Sequence, residues 1–541
     1  MDRRTFLQQS VAGGISAAVG ASLSGTTEAR AAAIRSGAAP AIELEEATVA
    51  ELRAALDSGQ LTARALTEQY LARIEEIDRG GPRLNSVIEI NPDALSIAEE
   101  LDRRTGPRGP LHGIPVLLKD NVDTGDRMLT TAGSLALADR PAPRDAFIAE
   151  RLRAAGAVII GKTNLSEWAN FRSTRSTSGW SGRGGQTRNP YILDRNPSGS
   201  SSGSGSAVSA SLAALAVGTE TDGSIVSPAT HTGVVGFKPT LGLVSRAGII
   251  PIAHSQDTAG PMTRTVADAA VLLGVLAGAD PRDPATAASA GHAHADYTRF
   301  LDANGLRGTR IGVASKGTGV SGDVTRVFAR AVDAMRRLGA VIVEEVEIPH
   351  ANDYGETELE VLLYEFKADL NAYLATRAPG GPRTLADLIE FNERNADREM
   401  PFFGQELFLQ AQEKGPLTSR EYREALAKNQ RLSGREGIDA ALKAHRLDAL
   451  VSPTGGPAAP IDLVNGDRWT GGYSSASAVS GYPHLTVPMG YVHGLPVGLS
   501  FFAEAWSEPK LLRYAYAFEQ ATKARRPPRF LPTFDPAARA G

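Results

Sequence analysis

The chain has 541 residues, of which 42% are hydrophobic and 22% charged, within the ordinary range for a globular protein able to bury a sizeable core. Its net charge of −4 and pI near 6.2 lack the basic excess that tracks nucleic-acid phosphates or an anionic membrane surface. It has no cysteine, which excludes thiol nucleophiles, thiolate metal sites and disulfides, so its chemistry must run on oxygen and nitrogen groups.

The N-terminus carries an Arg3-Arg4 pair, a weakly apolar stretch of Ala, Gly and Ser, and then Ala29-Arg30-Ala31. Charge, apolar and cleavage zones in that order predict a twin-arginine-type export signal over residues 1–31, cut after Ala31, and hence a periplasmic or secreted protein. Residues 32–541 are expected to form a single domain with no membrane association once the signal is removed. Thr48 and Glu51 have capping-box spacing, and Leu66, Tyr70, Ile74 and Ile77 recur at helical intervals. From Leu111 short apolar runs bounded by glycine appear, GIPVLLKD at 113–120 and GAVIIGK at 156–162, and these read as strands separated by the helical stretch 145–156. A turn at 189–197 leads into the serine/glycine tract Ser198 to Ser206. The apolar run Ala207 to Val217 after it reads as a buried helix, so the tract is no linker. A second glycine-containing serine segment follows at 219–230. Further on, RIGVASK at 310–316 reads as a strand and 323–339 as a helix. Residues 356–446 are charged and helical in pattern, and Tyr364, Phe366, Phe391, Phe402, Phe403 and Phe408 suit a cap packed on the sheet. The runs 447–454 and 483–490 return as strands. Strands and helices in alternation define an α/β fold.

Several residues could carry chemistry. Arginine supplies most of the 57 basic side chains, so a lysine inside an apolar run has a role that arginine, which keeps its proton, cannot fill. Lys119 ends such a run, where desolvation lowers an amine's pKa. Gly199 to Gly203 formally spells GxSxG around Ser201, but no apolar strand leads into it. Ser507 and Lys510 spell SxxK without its partner motifs, a coincidence. No HxxxH pair suggests a metal; His292 and His294 fall in an Ala-rich loop where solvated side chains are expected, and His112, His231, His254 and His484 read as structural or substrate-shaping. Lys238, before Pro239, reads as an exposed anchor.

Taken together, the segments 84–88, 108–122, 161–169, 198–206, 221–230, 233–247, 257–269 and 481–490 resemble the amidase signature family over nearly the whole mature length. That resemblance implies a mixed central β-sheet covered by helices on both faces, no cofactor and no metal. It also implies a Ser-Ser-Lys triad: Ser224 as nucleophile, Lys119 as base, and Ser200, after a cis peptide bond, as proton relay. Ser201 and Ser202 stay open as sharers of the relay role. The backbone N–H groups of Thr221, Asp222, Gly223 and Ser224 are the implied oxyanion hole. This sequence departs from the family pattern where Ser198, Ser202 and Asp222 stand in place of glycine. Segments 170–191 and 219–230 look most like the peptide amidases of the family, implying hydrolysis of C-terminal peptide amides with release of ammonia. Acylamidase activity on aryl or aliphatic amides is the alternative, and a non-catalytic amide-binding homologue the third reading.

Overall fold

The computed structural model describes residues 42–535; the segment read as an export signal lies outside them. Among the described residues thirteen strands run in chain order. They are β1 (Val87–Ile90), β2 (Pro115–Lys119), β3 (Val158–Thr163), β4 (Trp180–Ser181), β5 (Gly185–Gln186), β6 (Leu215–Glu220) and β7 (Val235–Lys238). They continue with β8 (Thr258–Thr263), β9 (Arg310–Val313), β10 (Val341–Val343), β11 (Ala449–Pro453), β12 (His484–Val492) and β13 (Leu495–Phe502). Eleven of them form one sheet in the order β1-β3-β2-β6-β8-β7-β12-β13-β11-β9-β10, while β4 and β5 make a separate ribbon. The sheet is mixed: β2 runs parallel to β3 and β6, whereas β8 is antiparallel to β6 and β7. Strands β2, β3, β6, β7, β8, β11 and β13 are buried at every position, so both faces of the sheet are covered, as the near-continuous apolar runs require.

The predicted capping box closes: Thr48 accepts from the Glu51 N–H, and Glu51 accepts from Thr48 N–H, at the start of helix Val49–Asp57. One expectation is corrected. The Ala207 to Val217 run is not a single helix; helix Ser202–Ser209 stops, Ser211 takes a left-handed φ of 55°, and the chain re-enters the sheet as β6. All of Ala207 to Val217 is buried, and a run that is apolar on every face carries no period to separate helix from strand.

Helices Gly355–Thr376, Leu385–Arg394, Glu406–Gln412 and Arg420–Gln430 build the expected cap. It owns a second hydrophobic core in which Phe366, Leu370 and Phe408 pack on Trp168, Phe171, Ile250 and Ile252. Trp168 and Phe408 meet edge to face at 5.6 Å, and Phe171 and Phe366 at 5.0 Å. Phe402 stays on the surface.

Candidate active site

Strands β2 and β6 lie side by side and parallel, with Leu118 level with Val217, so their carboxyl ends deliver Lys119 and Thr219-Glu220 to one place. Such an edge is where α/β sheets hold their sites. Helix 202–209 brings Ser200 to the same point, and the turn after β6 brings Ser224.

Lys119 is fully buried. Its Nζ lies 2.7 Å from Ser200 Oγ, 2.9 Å from Thr219 Oγ1 and 3.2 Å from the Thr219 carbonyl. Burial pushes the amine down from 10.5 to about 7, against the opposing pull of Asp257 and Glu220. The Gly199-Ser200 peptide is cis. A side chain at position 199 would strike Ser166 Oγ at 2.1 Å, so only glycine passes there. The three consecutive serines have different partners. Ser201 Oγ donates to the Thr219 carbonyl at 3.0 Å and accepts from its N–H at 3.2 Å, and Ser202 Oγ donates to the Ser198 carbonyl at 2.6 Å. Of the three, Ser200 alone meets Lys119. Ser198, where the family pattern has glycine, takes a φ of 62° and ties its hydroxyl to Ser227 Oγ at 2.8 Å.

Ser224 sits on the turn between β6 and helix Val226–His231 and is 8% exposed. Among the described residues its hydroxyl has no hydrogen-bond partner, and it is not bonded directly to Ser200. The carboxylate of Glu220 holds the turn by accepting from the N–H groups of Ile225 at 2.7 Å and Val226 at 3.0 Å. Gly223 has a φ of 77°, which curls the chain. The N–H groups of Thr221, Asp222, Gly223 and Ser224 have no protein acceptor among the described residues, so four donors on one turn stand available to an anion. Asp257 steadies Thr221 through its Oγ1 at 2.6 Å, and burial raises the Asp257 carboxyl to about 6.

A cavity of about 350 Å³ reaches Asn121 and Thr219 to Thr221 and is walled by Ile249, Ile250, Ile252 and Tyr373. Another, of about 470 Å³, reaches Ser198, Val226 and Ser227 beneath Trp469 and Tyr473. Ser224 itself lines neither, lying between residues of both.

The remaining candidates fall outside the chemistry. Lys162 is buried and donates to the carbonyls of Val122 and Leu129 and to Thr130 Oγ1. Lys238 is no exposed anchor: it is fully buried on β7 between the carboxyls of Glu220 and Glu508, because the strand it ends is interior. His484 bonds Ser500 at 2.6 Å and is driven by burial to about 3, His231 bonds the Ser227 carbonyl, and His254 pairs with Asp369 of the cap. His292 stacks on Trp506 at 4.7 Å. Ser507 and Lys510 both turn to Glu504. Thr219, Asn121, Asp257 and Glu220 were not singled out by pattern; Glu220 and Thr219 lay inside the serine segment, whereas nothing in the order of residues ties Asp257 to Thr221.

Fold and site together are those of an α/β enzyme that hydrolyses amide bonds. The chain belongs to the amidase signature family, matching the family Amidase over residues 65–512, and is an enzyme acting on amide C–N bonds. Among solved structures it is similar to the native peptide amidase of Stenotrophomonas maltophilia, at 55% identity and a TM-score of 0.86, covering 90% of this chain and 99% of that one. A peptide amidase bound to the competitive inhibitor chymostatin matches at 56% identity and a TM-score of 0.87, with coverage of 90% and 99%. A probable amidase of Arabidopsis thaliana is 44% identical over 90% of this chain and 92% of its own length.

Proposed function

We propose that this enzyme hydrolyses the C-terminal carboxamide of peptides, releasing ammonia and the free acid, with Ser224 as nucleophile, Ser200 as relay and Lys119 as base. The observation that carries the reading is the buried Lys119 amine 2.7 Å from Ser200 Oγ, next to a turn of unpartnered N–H groups. Near pH 7 a large share of Lys119 is neutral. A neutral amine has two N–H bonds for the two Thr219 oxygens and one lone pair for the Ser200 O–H. Ser200 then passes its proton to Lys119 as it takes one from Ser224, whose oxygen attacks the amide carbonyl. The turn's N–H groups meet the oxyanion, each worth roughly 3 kcal/mol. Collapse returns the proton by the same route to the leaving nitrogen, ammonia departs, and water hydrolyses the acyl-Ser224 ester. The hydroxyls of Ser200 and Ser224, not bonded to each other at rest, close up when substrate seats.

Peptide amides are favoured because the solved structures above 50% identity described earlier are of a peptide amidase, and because the open groove under Trp469 suits an extended chain. We further propose that Arg3-Arg4 directs export, which cell fractionation of the full chain tests. Substrate choice is tested by ammonia release from C-terminally amidated dipeptides beside anilides and aliphatic amides. Turnover of peptide amides supports the reading; turnover confined to anilides or aliphatic amides makes the enzyme an acylamidase; none at all makes it an amide-binding homologue.

A further inference from the structure

Asp222 stands where the family pattern has glycine, and the fold uses its side chain. Its Oδ2 accepts from Ser475 Oγ at 2.6 Å, a bond that joins residues 253 positions apart. One position on, a side chain at Gly223 would meet Ser474 Oγ at 3.2 Å, so the turn after β6 lies directly against residues 474–475. Ser475 is a firm partner. It opens helix Ser475–Val479, whose next four residues are all buried, and Tyr473 nearby stacks on Phe502 at 5.2 Å. The Gly472 N–H donates to the Thr318 carbonyl at 2.8 Å. Ser474 and Ser475 line the groove of about 470 Å³ together with Trp469 and Tyr473.

Every other residue of the turn is held in another way. Thr221 gives its hydroxyl to Asp257 at 2.6 Å, and its carbonyl accepts from Gln256 Nε2 at 3.3 Å. The Gly223 carbonyl accepts from the Ser227 N–H at 2.7 Å, and the Ser224 carbonyl from the Ser201 N–H at 3.1 Å. At Asp222 neither the backbone N–H nor the carbonyl has a partner among the described residues, so this residue is fixed through its side chain. The two peptide planes that meet at residue 222 carry the N–H groups of Asp222 and Gly223. Rotating either plane turns a donor away from the place where the oxyanion forms, and a hydrogen bond weakens steeply with misalignment. A glycine at 222 could not bond Ser475 and would set a second unrestrained residue beside Gly223, whose φ is already 77°.

We propose that the Asp222 side chain and Ser475 are a positioning pair for this reaction: their hydrogen bond ties the oxyanion turn to the wall of the peptide groove, so that the donors of residues 222 and 223 and the bound peptide share one frame. This rests on the reading of that turn as the oxyanion hole. The bond acts through the aim of the N–H groups on the transition state, and so on kcat rather than on KM.

The test is kcat and KM for an amidated dipeptide in wild type, D222A, D222G, S475A and the double variant D222A/S475A. Thermal unfolding of each separates a fall in kcat from a fall in folded fraction. D222A and D222G are expected to lose roughly 10- to 100-fold in kcat, the scale of a small misplacement of reacting groups, with KM within about threefold of wild type. S475A is expected to lose a similar factor. The double variant is expected to be no slower than D222A, because its second substitution removes half of a bond already broken. S475A deletes one hydroxyl from a half-buried position and keeps the proposal testable if the Asp222 variants do not fold. Wild-type kcat in S475A or D222G, a double variant in which the two losses multiply, or a change confined to KM overturns the proposal and leaves Ser224 as nucleophile. Wild type inert toward every amide defeats the reading of the site, and the proposal with it.

Discussion

Replacing Lys119 by methionine should abolish turnover and yet stabilise the protein at neutral pH. Burying the Lys119 amine lowers its pKa from 10.5 to about 7, which corresponds to on the order of 5 kcal/mol charged against the folded state. Methionine fills similar volume without that charge. Against the gain stand the three lost contacts to Ser200 Oγ and the two Thr219 oxygens, about 1 kcal/mol each, which leaves roughly 2 kcal/mol in favour of K119M at pH 7. The sign follows from proton counting. The folded amine titrates below the unfolded one, so between pH 7 and 10.5 the unfolded wild-type chain binds the extra proton and wild-type stability rises with pH. The penalty is full below about pH 7 and gone above 10.5. The advantage of K119M should therefore shrink by about 1.4 kcal/mol per pH unit and reverse at roughly pH 8 to 9. Chemical unfolding of both proteins at pH 7, 8.5 and 10 reads this directly. A variant less stable than wild type at pH 7, or a gap that ignores pH, would refute the reasoning. The same titration places the acid limb of wild-type kcat/KM near pH 7.

Two further outcomes follow from side-chain partners. Ser200→Ala removes the hydroxyl that meets Lys119 and should lower kcat by at least roughly 100-fold, whereas Ser201→Ala removes two bonds to the Thr219 backbone and should chiefly cost about 1–3 kcal/mol of stability; single-turnover kinetics with thermal unfolding separates them, and the reverse ranking moves the relay to Ser201. Arg172 is fully buried, with Nε 2.9 Å from Glu167 Oε1 beside the carboxyl of Glu399 and its guanidinium 4.3 Å from the Phe403 ring centre. Arg172→Met should destabilise the protein by roughly 3–5 kcal/mol at pH 8, and by progressively less as pH falls, because burial raises both the Glu167 and the Glu399 carboxyl and so favours their taking up protons; a cost that ignores pH would show that packing alone is lost.

Much of this was legible in the chain. Lys119 was marked by its place at the end of an apolar run in an arginine-rich protein, and the interior strand β2 delivers it to the core as that run implies. The two serine segments converge because β6 lies between them and runs parallel to β2. Pattern failed where burial removes the period, as in Ala207 to Val217, and where a charge is satisfied inside the fold, as with Lys238 among Glu220 and Glu508. The resemblance pointed to Ser200 as relay and left Ser201 and Ser202 open, since one residue of rotation around a turn decides which hydroxyl meets the amine, here that of Ser200. Pattern could not find Asp257, which reaches Thr221 of the turn that carries Ser224 from 36 residues downstream through a sheet register.

The central claim is that Ser224 is the nucleophile and that Lys119, acting through Ser200, activates it. Treating the enzyme with a fluorophosphonate at pH 7.5 and mapping the modified peptide tests that most directly. One equivalent on Ser224 in wild type, with labelling slowed by orders of magnitude in K119M, is the predicted result. Label on another serine, or Ser224 labelled equally fast without Lys119, would contradict it.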